Sequence, residues 1–259
     1  MSISHIIGEG ATMRIAVAGA TGTAGVPTVA LARERGHHVV EVSRSAGVDL
    51  LTGERLTTAL AGVDVAIDAS NPRLPDPEAD LVEVYAQATS RLIEACRSAG
   101  VEHLVYLSIS AIHDPAFDEF PYYLAKRAQE QVIHDSGFPA TIIATTQWHE
   151  FAMNPAAVTT GDYEVTVQDW LIQPIAVAAV AEALHDAAHS RLPRRSLAGP
   201  ETLRLPELTQ RYLAARGDDR PVRTVETAMP ALAEGALLAP EGAELIGPSV
   251  EGWLAGQAQ

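Results

Sequence analysis

Short apolar runs, each ended by a turn and followed by an amphipathic stretch, set the rhythm of the chain up to Thr146. RIAVAG, from Arg14 to Gly19, predicts a strand. After a Gly-rich turn, VPTVALARERG predicts a helix that stops at Gly36. The pattern then repeats. HVVEVS (His38 to Ser43) reads as strand, ERLTTAL as a short helix and VDVAIDAS (Val63 to Ser70) as strand. ADLVEVYAQATSRLIEACRSAG reads as a long amphipathic helix closed by Gly100. HLVYLSIS (His103 to Ser110), a helix from about Pro121 to Ser136 and the strand ATIIATT (Ala140 to Thr146) complete the series. Strands alternating with helices imply right-handed crossovers and a doubly wound parallel sheet covered on both faces.

After Thr146 the alternation loosens into LIQPIAV, the helix AVAEALHDAAH, a strand-like LAGPETLRL, the helix LPELTQRYLAARG and the strand VRTVET. No repeat, low-complexity linker or block of like charge separates a second unit. The expectation is therefore one α/β domain over 1–259, with a dinucleotide-binding core at 13–146 and a small substrate-side lobe with C-terminal elements at 147–259. Such a lobe, placed beyond the carboxyl ends of the strands, would shape a substrate pocket.

Charge and composition narrow the partners. Against 33 Asp and Glu stand 18 Lys and Arg, a net charge of −15, the wrong sign for gripping nucleic acid or an anionic bilayer. No apolar run approaches the roughly 20 residues that span a bilayer. The first dozen residues lack the basic start and long apolar centre of a signal peptide, so a cytoplasmic location is expected. A small-molecule substrate is the expected partner, and assembly into a homo-oligomer stays open. The lone Cys96 excludes an intrachain disulfide and reads as the buried side of a helix.

GATGTAG brings in chemistry. Gly19, Gly22 and Gly25 follow the first strand and open the first helix, where a dinucleotide pyrophosphate meets backbone N–H groups and the positive helix end. Gly19 suits the tight turn, Gly22 the approach to phosphate and Gly25 the packing of helix on strand. Thr21, Thr23 and Ala24 are candidate contacts through backbone or hydroxyl. An acidic residue at the end of the second strand would favour NAD, and a basic one NADP. The sequence there is SRS, so Arg44, with Ser43 and Ser45, favours NADP over NAD. Asp49 and Leu50 are assigned to the adenine side. Ala69, Ser70 and Asn71 are assigned to the ribose and pyrophosphate.

GATGTAG, SRS, LSIS and YYLAKRAQE together resemble the atypical short-chain dehydrogenase/reductases, in particular the NmrA-like NAD(P)H-binding group. The likeness extends through SGFPATIIATTQWHEF to LAGPETLRLPEL and the terminal EGWL. It implies a Rossmann-type fold and a Ser-Tyr-Lys constellation. Tyr122 and Lys126 stand four apart on one helical face. An ammonium beside a phenol would lower the tyrosine pKa from about 10 and let it exchange a proton with a carbonyl oxygen. Lys126 would also bind the nicotinamide ribose. Ser110 takes the serine role with Ser108 in reserve, and Tyr123 is the competing tyrosine. The resemblance also implies Arg and Asp at two positions where this chain has Ala144 and Ala179. Their joint loss suggests an apolar environment without an unpaired charge.

Thr145, Thr146 and Gln147 are assigned to the nicotinamide, and Trp148, His149 and Phe151 to the substrate walls, with His113 as a further acid–base candidate. No metal site is expected. His149 with Glu150 lacks a second histidine at helical spacing, and His37 and His38 read as surface or packing residues. The expected activity is an NAD(P)-dependent reduction of a small carbonyl, quinone or polyketide-like aromatic. A secondary-metabolism tailoring enzyme performing oxygenation, and a non-catalytic NAD(P) sensor, are the alternatives.

Overall fold

The computed structural model describes residues 12–257, so the reading of residues 1–11 lies outside the described residues. Chain order through the first half is β1 (Arg14–Ala18), α1 (Gly25–Glu34), β2 (His38–Val42), α2 (Leu56–Ala59), β3 (Val65–Asp68), α3 (Leu81–Ala99), β4 (His103–Ile109), α4 (Pro121–Ser136) and β5 (Ala140–Thr145). Local chemistry sets several boundaries. Asp80 caps α3 by accepting from the N–H groups of Val82 and Glu83, and Gly100 ends it in the left-handed region. Pro121 opens α4, where its missing N–H costs nothing, and Gly137 closes it at φ +64°.

The second half runs β6 (Val158–Thr160), β7 (Val165–Gln168), β8 (Leu171–Ile172), α5 (Val177–His189), β9 (Arg194–Ala198), β10 (Leu203–Arg204), α6 (Leu205–Ala214), β11 (Val222–Val225), α7 (Pro230–Glu234), β12 (Glu244–Leu245) and α8 (Val250–Gln257). Seven strands form one parallel sheet in the order β12-β9-β5-β4-β3-β1-β2. β2 lies on one side of β1 and β3 on the other. The order therefore reverses at β1, and a crevice opens beyond the carboxyl ends of β1 and β3.

Strand side chains alternate between two layers. Ile15 and Val17 pack with Val29 of α1 and Leu184 of α5, whereas Ala16 and Ala18 face the cluster of Leu92, Cys96 and Ile133 from α3 and α4. Cys96 is buried with its thiol pushed up to about 12 by desolvation, an inert packing residue as expected.

The residues after 146 do not all enter the lobe. Among them, α5 covers the main sheet and β9 and β12 extend it, because LIQPIAV leads the chain back over the central strands. Only the intervening pieces form the substrate-side lobe: the sheet β11-β7-β6, the pair β10-β8, and α6, packed around Val165, Val167, Leu208 and Trp253. LAGPETLRL is likewise divided, its start in β9 of the main sheet and its end in β10 of the lobe. Among the described residues, no helix is long and apolar enough to cross a membrane.

Candidate active site

A cleft of about 1010 Å³ lies at the carboxyl edge of the central strands, lined at one end by the Gly-rich turn and at the other by aromatic side chains. The turn is a backbone cradle. Gly19 sits at φ +75°, and a Cβ there would stand 2.6 Å from the Ala69 carbonyl oxygen and 2.7 Å from the Ser70 Cα. A Cβ on Gly25 would lie 1.9 Å from the Gly19 oxygen, so Gly25 fixes helix against turn from outside the cleft. Gly22 is closed by its N–H donating to the Gly19 oxygen and lines the cleft with Thr21, Thr23 and Ala24. Helix α1 starts with neither a side-chain cap nor an acidic residue in its first turn. Its positive end is thus left for an anion.

Ser43, Arg44, Asp49, Leu50, Ala69, Ser70 and Asn71 all line the cleft, as the sequence assigned. Among the described residues three cations, Arg44, Arg73 and Lys126, border it against a single carboxylate, Asp49. In a chain of net charge −15 that local excess of positive charge is selective for an anionic ligand. Arg44 makes no salt bridge to any described residue, whereas Asp49 is engaged, accepting from the Leu51 N–H at 2.7 Å. These features fit a dinucleotide. The turn, the free helix end and the surplus cations would hold its pyrophosphate and ribose groups, and the bound nicotinamide would supply or accept hydride.

In the middle of the cleft Tyr122 and Lys126, one turn apart on α4, line the same wall. Lys126 is buried. Its Nζ donates to the Leu107 carbonyl at 2.9 Å and stands 4.3 Å from the centre of the Tyr106 ring. Desolvation pulls its pKa down to about 8, opposed by the carboxylates of Asp68 and Glu130. Tyr122 departs from the sequence argument. Burial raises its pKa where the neighbouring ammonium was expected to lower it, because Lys126 directs its charge at Leu107 and Tyr106, while Tyr122 packs edge-on against Tyr85. At neutral pH the phenol is protonated, the state a proton donor must start from.

Ser110, assigned as the oxygen-orienting serine, lies outside the cleft, buried with no hydrogen-bond partner for its Oγ among the described residues. Its neighbour two positions back, Ser108, lines the cleft, but its hydroxyl donates to Glu130. Ser108 lies within β4, whereas Ser110 follows its last residue, Ile109, which still lines the cleft. Glu130 was not singled out in the sequence, although its place one helical turn after Lys126 was a usable signal. It also accepts from Arg194 at 2.8 Å.

Thr145, Thr146, Gln147, Trp148 and Phe151 line the far end as expected. Trp148 is oriented by its indole N–H, which donates to the Thr145 hydroxyl at 3.1 Å. Phe117, Phe120, Tyr123 and Trp170 complete an aromatic wall. The sequence did not single out the two phenylalanines or Trp170, since their irregular spacing carries no motif. Phe117 and Tyr123 stack at 4.0 Å. Two residues assigned to the substrate side are absent from the lining. His149 is fully buried against Trp253 with its pKa pushed down to about 4 by desolvation, so it is a neutral packing residue. His113 is two-thirds exposed and turned toward Glu130.

A family model described as NAD(P)H-binding matches residues 19–191. In sequence the chain is 32% identical over 211 residues to a (4-alkanoyl-5-oxo-2,5-dihydrofuran-3-yl)methyl phosphate reductase of Streptomyces griseus, covering 76% of this chain and 68% of that one. Among solved structures it is similar to a short-chain dehydrogenase/reductase superfamily protein of Agrobacterium tumefaciens with bound NAD, with TM-score 0.69, 17% identity, and 95% and 96% of the two chains covered. It is also similar to the triphenylmethane reductase of a Citrobacter species complexed with NADP(H), with TM-score 0.64, 15% identity, and 95% and 100% covered.

Proposed function

The chain belongs to the NAD(P)H-binding family of atypical short-chain dehydrogenase/reductases, and from that premise we propose that it reduces an uncharged, flat carbonyl, quinone or polyketide-like aromatic with NADPH. One observation carries the reading: Tyr122 and Lys126 line the same cleft as the dinucleotide cradle and an aromatic wall. In this reading Tyr122 donates its phenolic proton to the substrate oxygen as that oxygen gains negative charge. Lys126, on the same wall, anchors the nicotinamide ribose.

The wall formed by Phe117, Phe120, Trp148, Phe151 and Trp170 has no formal charge, and among the described residues Lys126 is the cation that lines the cleft from the same helix as Tyr122. A phosphate ester like the substrate named for the Streptomyces griseus relative would lack a dedicated partner there, which supports an uncharged ligand. Arg44, free of salt bridges at the end of β2, supports NADPH over NADH through its fit to a 2′-phosphate. A sensor role is favoured by one feature: the hydroxyl of Ser108, the β4 serine that lines the cleft, is engaged with Glu130. The deciding experiment incubates the protein and NADPH with a panel of quinones and aromatic ketones. Substrate-dependent NADPH oxidation is expected from the intact chain and not from Tyr122→Phe. Tight NADPH binding without consumption across the panel would instead favour the sensor.

A further inference from the structure

On the edge of the fold opposite the cleft, three histidines converge. His37 lies in the turn between α1 and β2, and His185 and His189 stand one turn apart near the end of α5. His37 and His185 are buried, and His189 is exposed. The ring centres are 5.1, 5.4 and 5.1 Å apart, tilted rather than stacked, and one nitrogen from each ring lies within 4.8 Å of the others. The Nε2 atoms of His37 and His185 are only 3.0 Å apart.

We propose that His37, His185 and His189 bind a divalent first-row transition ion of the zinc(II), cobalt(II) or nickel(II) kind, which clips the end of α5 to the turn that starts β2. The donor set chooses the ion. Three imidazole nitrogens, with no thiolate and no carboxylate among them, suit borderline transition ions and not calcium or magnesium. Water takes the open position on the side of the exposed His189. Orientation is supplied from the flank, since the Nδ1 of His185 faces the Asp186 carboxylate at 3.5 Å and so directs its Nε2 at the cluster.

The ion-free arrangement is itself consistent. The Met13 N–H donates to His37 Nδ1 at 3.1 Å, so the ring proton sits on Nε2 and is directed at His185. Coordination through His37 Nε2 moves that proton to Nδ1, and the Met13 bond is given up as the metal–nitrogen bond forms. No net proton is released from a neutral ring. Burial and the neighbouring imidazoles lower the pKa of His37 and His189, which keeps lone pairs available at neutral pH. The sequence expectation of no metal site rested on local motif spacing, which cannot bring together two ligands 148 positions apart.

The test uses the full chain after chelator treatment and dialysis, with thermal unfolding followed against added zinc chloride and visible absorption against added cobalt chloride. A Tm rise of a few degrees at stoichiometric zinc, and cobalt absorption bands in the visible, are expected. Both should be lost in His189→Ala, an exposed position whose replacement leaves the core intact, and in His185→Ala, and kept in His134→Ala. A Tm unchanged or lowered by each of zinc, cobalt and nickel would overturn the site. So would a rise that survives in both His189→Ala and His185→Ala. NADPH binding by His189→Ala should equal that of the unaltered protein, which separates this test from that of the proposed activity.

Discussion

The proposed chemistry turns on two residues, Tyr122 in the middle of the cleft and Arg44 at the end of β2. Removing the Tyr122 hydroxyl with Tyr122→Phe should lower kcat by about 100-fold or more, the usual worth of a positioned general acid, while the dissociation constant for NADPH stays unchanged. Stopped-flow and equilibrium titration together check both halves. Arg44→Ala should weaken NADPH by about tenfold, equivalent to roughly 1.4 kcal/mol, and leave NADH unchanged. Equal weakening of both cofactors would place Arg44 away from a 2′-phosphate. At this scale the sequence was informative where a residue's chemistry depends on backbone position. Gly19, Arg44, Tyr122 and Lys126 all reached the cleft. It misled where side-chain direction and depth decide: Ser110 is buried outside the cleft lining, His149 is turned into the core against Trp253, and the ammonium of Lys126 is spent on Leu107.

At the scale of elements, the turn between β1 and α1 is tightly constrained. Gly25→Ala would drive a methyl group into the Gly19 carbonyl, contact between two stretches of backbone that no rotamer change relieves. The expected outcome is loss of NADPH binding with a Tm drop, read by calorimetry. Ala144 and Ala179 are both buried, and Ala179 lies where a Cβ on Gly247 would come within 2.9 Å. Ala144→Arg should accordingly destabilise by about 3 kcal/mol or more, an unpaired buried charge, and an unchanged Tm would contradict this. The strands β1 to β5 were legible because each is an apolar run between turn signals, and α4 runs over the span its periodicity predicted. The short strands β6, β8, β10 and β12 were not. Two or three residues cannot show a period, and their pairing is set by distant partners.

The whole molecule carries several histidines held neutral by burial. His149 and His103 are each pushed down to about 4. In the unfolded chain both titrate near 6.5, so below that pH the unfolded state takes up protons that the folded state refuses. Stability should therefore be fully present above pH 6.5 and fall progressively from 6.5 toward 4. Denaturant unfolding at pH 7.5, 6 and 5 checks the sign, and a flat profile would contradict it. The parallel order of the main sheet followed from strand–helix alternation, whereas the return of β9 and β12 to it did not, because a late strand looks the same whether it joins the lobe or the core.

The central claim is that one cleft both holds the dinucleotide and delivers a proton from Tyr122. It is tested most directly by titrating the purified protein with NADPH and NADH, following nicotinamide fluorescence at equilibrium, and then adding the quinone and aromatic ketone panel to the intact chain and to Tyr122→Phe. The account predicts saturable binding that favours NADPH, and substrate-dependent oxidation that disappears in Tyr122→Phe with binding intact. Absence of binding, or turnover undiminished in Tyr122→Phe, would contradict it.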